Sequence, residues 1–261
     1  IEVGSEMVVD PRMWKTTGKK WQDVRTAINK AKRDGITDVQ STFLESPLEV
    51  REQIEDISEE WAQLKALPEM KFTLGGVEEL RDPRVRLLYA VDADGRVLGV
   101  TSWLPTWRDG RVIGWTLDFM RHRTDSPNGI MEFLIARMAE RLRDEGAADP
   151  ERAAEFMSLS AAPLAGLNPE RDNAGEGGAP AGEGTQVLQH ALQIVADWME
   201  PAYGFHSLFN FKRKFQPTEA PVYVCYPDPA ALPQIGLAVV RAYVPSVTPA
   251  EVAGMLSTLR S

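Results

Sequence analysis

Asp118 and Arg121 are the residues whose position most invites chemistry. They sit at the end of the apolar, strand-like run WTLDFMRH, just before a Ser-Pro-Asn-Gly turn and an amphipathic helix that starts near Gly129. A helix start offers unpaired N–H donors and a partial positive charge, so an acid and a guanidinium delivered there can handle a ligand. Spacing alone also allows a structural ion pair at a strand end. Asn128 and Glu132 lie one turn apart at the helix start, which makes Glu132 either a second carboxylate of the site or a favourable terminal charge. Further along, in AYGFHSLFNFKRKFQP, Lys212 and Lys214 alternate with Phe211, Arg213 and Phe215. That alternation predicts a strand with both lysines on one face, binding phosphate or guarding a sheet edge. His206 is either a general base or a packed, hydrogen-bonded imidazole. Ser158 and Ser160 lack a GxSxG elbow, which removes a serine-hydrolase reading.

Composition narrows the classes. The chain has 261 residues, 43% of them hydrophobic, enough for one large domain or two fused smaller ones. A single cysteine, Cys225, permits no internal disulfide and no CxxC site, and its strand-like surroundings predict a buried thiol. His122, His190 and His206 are too widely spaced for a zinc motif, so no metal is expected. No apolar run reaches the roughly 20 residues of a spanning helix. The chain starts at Ile1 without a signal pattern and reads as part of a longer polypeptide. Net charge is -9, yet Arg12 to Arg33 holds eight basic residues against the single acid Asp23. Such a stripe is either a solvated face or, with Trp14 and Trp21 among the cations, a nucleic-acid surface.

Periodicity then places the elements. Trp21, Val24, Ile28 and Ala31 predict a helix from Thr17 to Asp34, capped by Thr17 and stopped by Gly35. Pro47 to Leu67 predicts a second helix with an acidic outer side. VRLLYAV, VLGVTSWL and RVIGWTLDF, joined by Asp/Gly turns, predict an antiparallel meander. A helix from Gly129 to Asp144 and a strand from Phe156 to Ser160 follow. Asn168 to Gly184 reads as a mobile loop, Val187 to Met199 as a helix, Val222 to Tyr226 as a strand and Pro249 to Leu259 as a terminal helix. This order suits an α/β acyltransferase core, a mixed and largely antiparallel sheet flanked by helices, and contains no GxGxxG or Walker loop. In RHRTDSPNG, the stretch where an acetyltransferase would cradle pyrophosphate, Pro127 removes a donor and Asp125 adds negative charge, which argues against CoA.

The segments GKKWQDVRTAINKAKRDG, KFTLG (Lys71 to Gly75), LDFMRHRTDSPNGIMEFLIA, SLSAAPLAGL and YGFHSLFNFKRKFQPTEAPVYVCYP, in this order, resemble the catalytic domain of the aminoacyl-phosphatidylglycerol synthases, or phosphatidylglycerol lysyltransferases. The resemblance implies a tandem acetyltransferase-like (GNAT-like) architecture at the cytoplasmic face of the cell membrane. Residues 1–40 would then end a truncated first half with its basic connecting helix, and 41–261 would be the second, catalytic half. It implies transfer of a lysyl or alanyl group from aminoacyl-tRNA to the hydroxyl of phosphatidylglycerol, without a cofactor, and a membrane region preceding Ile1. Asp118 and Arg121 match the family's DxxR pair and would be catalytic, Asp118 toward the aminoacyl ammonium or the attacking hydroxyl, Arg121 toward a phosphate or the oxyanion. Asn128, Glu132, Ser160, His206, Lys212 and Lys214 would bind substrate. Lys19, Lys20, Arg25, Lys30, Lys32 and Arg33 would bind tRNA. The expanded loop Asn168 to Gly184, and Thr218 and Glu219 after FQP, depart from the family pattern. Three other readings remain at this point: another lipid or cell-wall acceptor, a CoA-dependent N-acyltransferase, and a non-catalytic tRNA- or membrane-binding module.

Overall fold

Leu87, Leu88, Tyr89 and Ala90 are consecutive and all buried, which requires a strand covered on both faces. A computed structural model, describing residues 2–63, 75–163 and 205–231 with 234, 235 and 238, supplies that cover. Strands β1 (Glu2–Val9), β2 (Thr37–Ser41), β3 (Arg86–Val91), β4 (Val97–Arg108), β5 (Arg111–His122), β6 (Phe156–Pro163) and β7 (Thr218–Tyr223) form one sheet in the order β2-β3-β4-β5-β6-β1-β7. Every neighbouring pair is antiparallel except β5–β6. The described helices are α1 (Gln22–Arg33), α2 (Leu48–Gln63), α3 (Ile130–Ala148) and α4 (Phe205–Arg213).

Two cores lie on opposite faces. Val24 and Ala31 of α1, Leu134, Ile135 and Met138 of α3, and Phe215 beyond α4 pack with Met7, Met157 and Leu159 of the sheet. Ile54 and Ile57 of α2 pack with Leu87, Tyr89 and Phe119 on the other side. The mixed, largely antiparallel sheet flanked by helices is thus the architecture expected. β3, β4 and β5 are the expected meander, and Asp109 and Gly110, both at positive φ, make the two-residue turn joining β4 to β5. Residues 1–40 share the sheet with the rest of the chain: β1 pairs with β6 and β7, and β2 closes the far edge. Asp38 of β2, its side chain 8% exposed, is held by Arg137 at 2.7 Å and Arg141 at 2.6 Å, tying that edge to α3.

Several expectations are corrected. The basic segment opens with a 3-10 turn, Lys19–Trp21, and α1 starts only at Gln22, with Gly18 rather than Thr17 before the turn. The sequence FHSLFNFKR is helical, not a strand: partly buried Phe211 and buried Lys212 lie four and three residues from buried Phe215, and this one-sided burial overrides the β propensity of the phenylalanines. The strand placed at Val222 to Tyr226 instead begins at Thr218 and ends at Tyr223, where pairing with β1 stops. Cys225 lies past that end and is exposed, not buried. The segments Asn168 to Gly184, Val187 to Met199 and Pro249 to Leu259 lie outside the described residues. Among the described residues no helix is long and apolar enough to cross a membrane.

Candidate functional site

The candidate site is a fork in the sheet. Parallel pairing of β5 with β6 is confined to Gly114 with Phe156, Trp115 with Met157 and Thr116 with Ser158. Just beyond, each strand carries an extra residue. Asp118 and Phe119 of β5 stand against the single Ser102 of β4, and Leu159 and Ser160 of β6 stand against the single Met7 of β1. A bulge bends its strand and interrupts its ladder, so paired bulges end the β5–β6 pairing here. Side chains take over the bonding: Phe119 N–H donates to Ser102 Oγ at 3.0 Å, and Ser160 Oγ donates to the Leu117 carbonyl.

The β5 bulge decides where Asp118 points. Leu117 and Met120 belong to the core under α1 and α3, whereas Phe119 belongs to the core under α2. Asp118 lies on the α2 side, half-buried against Gly75 and under the influence of Glu79, whose neighbour Leu80 packs in that same core. Burial pushes the Asp118 carboxyl above the ordinary aspartate range, the Gly75 N–H opposes this, and the nearby Glu79 carboxylate adds to it.

Arg121 occupies the same face but a deeper place. It is 5% exposed, donates through Nη1 to the Ser58 carbonyl at 3.2 Å and to Ser58 Oγ, and lies 4.2 Å from the Trp61 ring centroid and 4.6 Å from that of Phe119. The guanidinium therefore fastens β5 to α2. Arg121→Ala is expected to cost roughly 3 kcal/mol of stability, because two charged hydrogen bonds to Ser58 and two ring contacts are lost together. Urea denaturation measures this directly.

Lys212 and Lys214 do not share a face. Lys212, 3% exposed, donates through Nζ to the Ala161 carbonyl at 2.9 Å and more weakly to that of Ser160 at 3.4 Å. Burial pulls its ammonium down to about 8, against an opposing pull from Glu6, so it is still mainly charged at neutral pH. Lys214 follows α4 and pairs with Glu132 Oε1 at 2.8 Å, joining the end of α4 to the first turn of α3. Asn128 is exposed in the turn before α3, and His206 lies in the first turn of α4.

The basic segment is divided between structure and surface. Arg25 donates to the Thr16 and Gly18 carbonyls, each at 2.6 Å, and Lys30 pairs with Asp34 at 2.8 Å. Lys19, Lys20, Lys32 and Arg33 are exposed. Trp14 and Trp21 are buried edge-to-face with ring centroids 4.9 Å apart, so they are core and not a stacking platform for bases. In the loop before α3, the Arg123 N–H donates to the Leu98 carbonyl, the Thr124 N–H to Glu60 and the Ser126 N–H to the Arg123 carbonyl. Asp125 pairs with Arg96 at 2.8 Å. Among the described residues no cluster of three metal-binding side chains occurs.

Residues 1–226 match the family described as phosphatidylglycerol lysyltransferase, C-terminal. The chain belongs to this family. An uncharacterized protein of Corynebacterium glutamicum is 39% identical over 94% of the chain, and the lysylphosphatidylglycerol biosynthesis bifunctional protein LysX of Mycobacterium ulcerans is 27% identical over 93%. The chain spans only 28% and 20% of those two proteins. Among solved structures, the C-terminal domain of a putative lysylphosphatidylglycerol synthetase from Agrobacterium fabrum superposes with a TM-score of 0.68 at 21% identity, covering 95% of this chain and 67% of that one. The L-PGS of Bacillus licheniformis gives 0.66 at 22% identity, covering 93% and 66%. These superpositions establish the fold of the lysyltransferase family for this chain.

Within that lysyltransferase fold, several residues of the fork escape a reading by motif. Glu6 accepts from Ser158 Oγ at 2.6 Å, Ser58 receives Arg121, and Glu79 stands beside Asp118. Nothing in a sequence marks an isolated Glu or Ser for such long-range pairing. Gly75 is different. A Cβ there would lie 2.0 Å from Asp118 Oδ2, so the glycine that ends KFTLG is the one residue type that lets backbone reach the carboxylate.

Proposed function

We propose that this chain is the catalytic part of a transferase that moves an aminoacyl group from aminoacyl-tRNA to the glycerol hydroxyl of phosphatidylglycerol at a membrane surface. The observation that carries the reading is a half-buried carboxyl of raised pKa, Asp118, held at an opened strand junction in a chain of the lysyltransferase family. The donor is already an activated ester, so alignment and proton handling are the main tasks. In this reading the lipid hydroxyl attacks the ester carbonyl carbon while Asp118 accepts its proton. The tetrahedral oxyanion then collapses, the bond to the terminal ribose oxygen breaks, and that oxygen leaves with a proton returned from Asp118. Burial makes Asp118 a stronger base than a solvated aspartate, which suits it to take a hydroxyl proton in the transition state. Arg121 is a positioning residue that holds β5 against α2. In this reading Lys214 and the exposed Asn128 before α3 receive the lipid phosphate, with Glu132 holding the Lys214 ammonium in place, and His206 lies within the same α4 segment. The amino acid is lysyl or alanyl.

The tRNA end runs along the cations that α1 and the preceding turn leave exposed. Replacing Lys19, Lys20, Lys32 and Arg33 together by Ala is expected to raise KM for aminoacyl-tRNA about tenfold or more at physiological salt. It should also reduce the slope of log affinity against log salt by roughly 3, with little change in thermal stability because all four are on the surface. Filter binding across a salt series and a melting curve check both halves. The engaged amides of Arg123, Thr124 and Ser126, together with Pro127, leave the loop poor in donors for a pyrophosphate, which favours an RNA-borne ester over a CoA thioester. Incubating the protein with labelled aminoacyl-tRNA and separate vesicles of phosphatidylglycerol, phosphatidylethanolamine and cardiolipin tests the acceptor. Label should enter phosphatidylglycerol; label confined to another lipid would refute this acceptor.

A further inference from the structure

Ser160 is engaged at every polar atom. Its N–H donates to Ser158 Oγ at 3.0 Å, its carbonyl accepts from Lys212 Nζ at 3.4 Å, and its Oγ donates to the Leu117 carbonyl across the fork. Ser158 in turn donates to Glu6 Oε1 at 2.6 Å. The residue stands at φ +67, in the left-handed region where glycine is at ease and a side chain is not. The hydroxyl of this serine bonds the peptide group joining Leu117 to Asp118. The three parallel pairs end at Thr116 with Ser158, so this side-chain bond stands where the next rung would be.

We infer that Ser160 is a positioning residue of the transfer reaction: its hydroxyl holds the Leu117–Asp118 peptide across the opened strands and thereby fixes the Asp118 carboxylate against Gly75. This assigns Ser160 a role through Asp118 and not a direct contact with substrate. The inference rests on the reading of Asp118 as the proton acceptor. The geometry behind it is a chain of contacts from β1 and α4 through β6 to β5: Glu6 to Ser158, Lys212 and Ser158 to Ser160, and Ser160 to Leu117. Among the described residues, the charged group acting on Asp118 from a neighbouring element is Glu79, Lys212 of α4 reaches the Ser160 carbonyl, and Glu6 of β1 bonds Ser158 and acts on Lys212. None of these is altered by replacing Ser160.

Ser160→Gly separates positioning from folding, because it deletes the hydroxyl and relieves the backbone at once. Its melting temperature should equal or exceed that of the unaltered protein. With lysyl-tRNA or alanyl-tRNA and phosphatidylglycerol vesicles, kcat should fall about tenfold while KM for the tRNA stays within about twofold. A released carboxylate gains water and loses the Gly75 N–H; burial is the larger influence on this group, so the acid limb of the kcat profile should move to lower pH. The Asp118 carboxyl signal in a carbon NMR titration, assigned by its loss in Asp118→Asn, should titrate lower in the same direction. Ser160→Asn, which tolerates the left-handed region and carries a donor, should recover part of kcat. Unchanged kcat and an unchanged Asp118 titration in Ser160→Gly would overturn the inference. So would a loss of kcat with the titration unmoved, or a lowered melting temperature in both variants. Full activity of Asp118→Asn would instead remove the reading of Asp118 as base, while a shifted carboxyl titration in Ser160→Gly would still establish the mechanical link.

Discussion

Asp118→Asn is expected to abolish transfer while making the protein more stable at neutral pH. The loss of activity, at least about 100-fold, follows from removing the only proposed proton acceptor, and appears in kcat rather than in KM for the tRNA. The gain in stability follows from the direction of the shift. Burial holds the Asp118 pKa above its unfolded value, so the folded state binds this proton more tightly than the unfolded state does. The group's contribution is therefore most favourable below the unfolded aspartate pKa and is lost as pH rises through the raised folded value. At pH 7 the charged carboxylate is a cost, which the neutral amide avoids while still accepting the Gly75 N–H. Melting curves should place the variant above the unaltered protein at pH 7, and the difference should vanish as the solution is acidified through the ordinary aspartate range. A variant both less active and less stable would point to an ordinary structural carboxylate.

Gly75→Ala should come close to the same loss of activity by a purely steric route. The added methyl would fall 2.0 Å from Asp118 Oδ2 and 2.6 Å from its Cγ, so either the carboxylate or the Gly75 backbone must move. A displacement of that size costs about 100-fold in an aligned reaction. Gly76→Ala is the matched control. Its methyl would meet Glu79 Oε2 at 3.0 Å, the far end of a flexible side chain, and kcat should change less than about threefold. Equal kcat values for the two variants would show that the approach of Gly75 to Asp118 does not matter.

The parts legible in the sequence are those set by local pattern. Strict runs of β-branched and apolar residues around Asp109-Gly110 gave the meander, and the repeat of Met131, Leu134, Ile135, Met138 and Leu142 gave α3. Asp118 drew attention as an acid within an apolar run that leads into a turn, and its role as proton acceptor is a proposal. What failed depended on tertiary neighbours. The phenylalanines of FHSLFNFKRKF alternate as a strand would, but the groove beside β6 buries Lys212 and Phe215 on one helical face. Trp14 and Trp21 lie among cations in sequence yet point into the core. Arg121, which the family resemblance put toward a phosphate or the oxyanion, lies under α2 against Ser58 and Trp61, residues about 60 positions away that no local pattern links to it. The two bulges leave no signature in residue type, which is why the fork could only be found in three dimensions.

The central claim is that this fork accepts an ester carried by RNA. It is tested most directly by offering the purified protein labelled lysyl-tRNA, labelled alanyl-tRNA and labelled acetyl-CoA in parallel, each with phosphatidylglycerol vesicles, and counting label in the extracted lipid. Label should pass to the lipid from at least one aminoacyl-tRNA, stop on ribonuclease treatment and be lost in Asp118→Asn. Label arriving from acetyl-CoA alone, or transfer from tRNA undiminished in Asp118→Asn, would contradict the account.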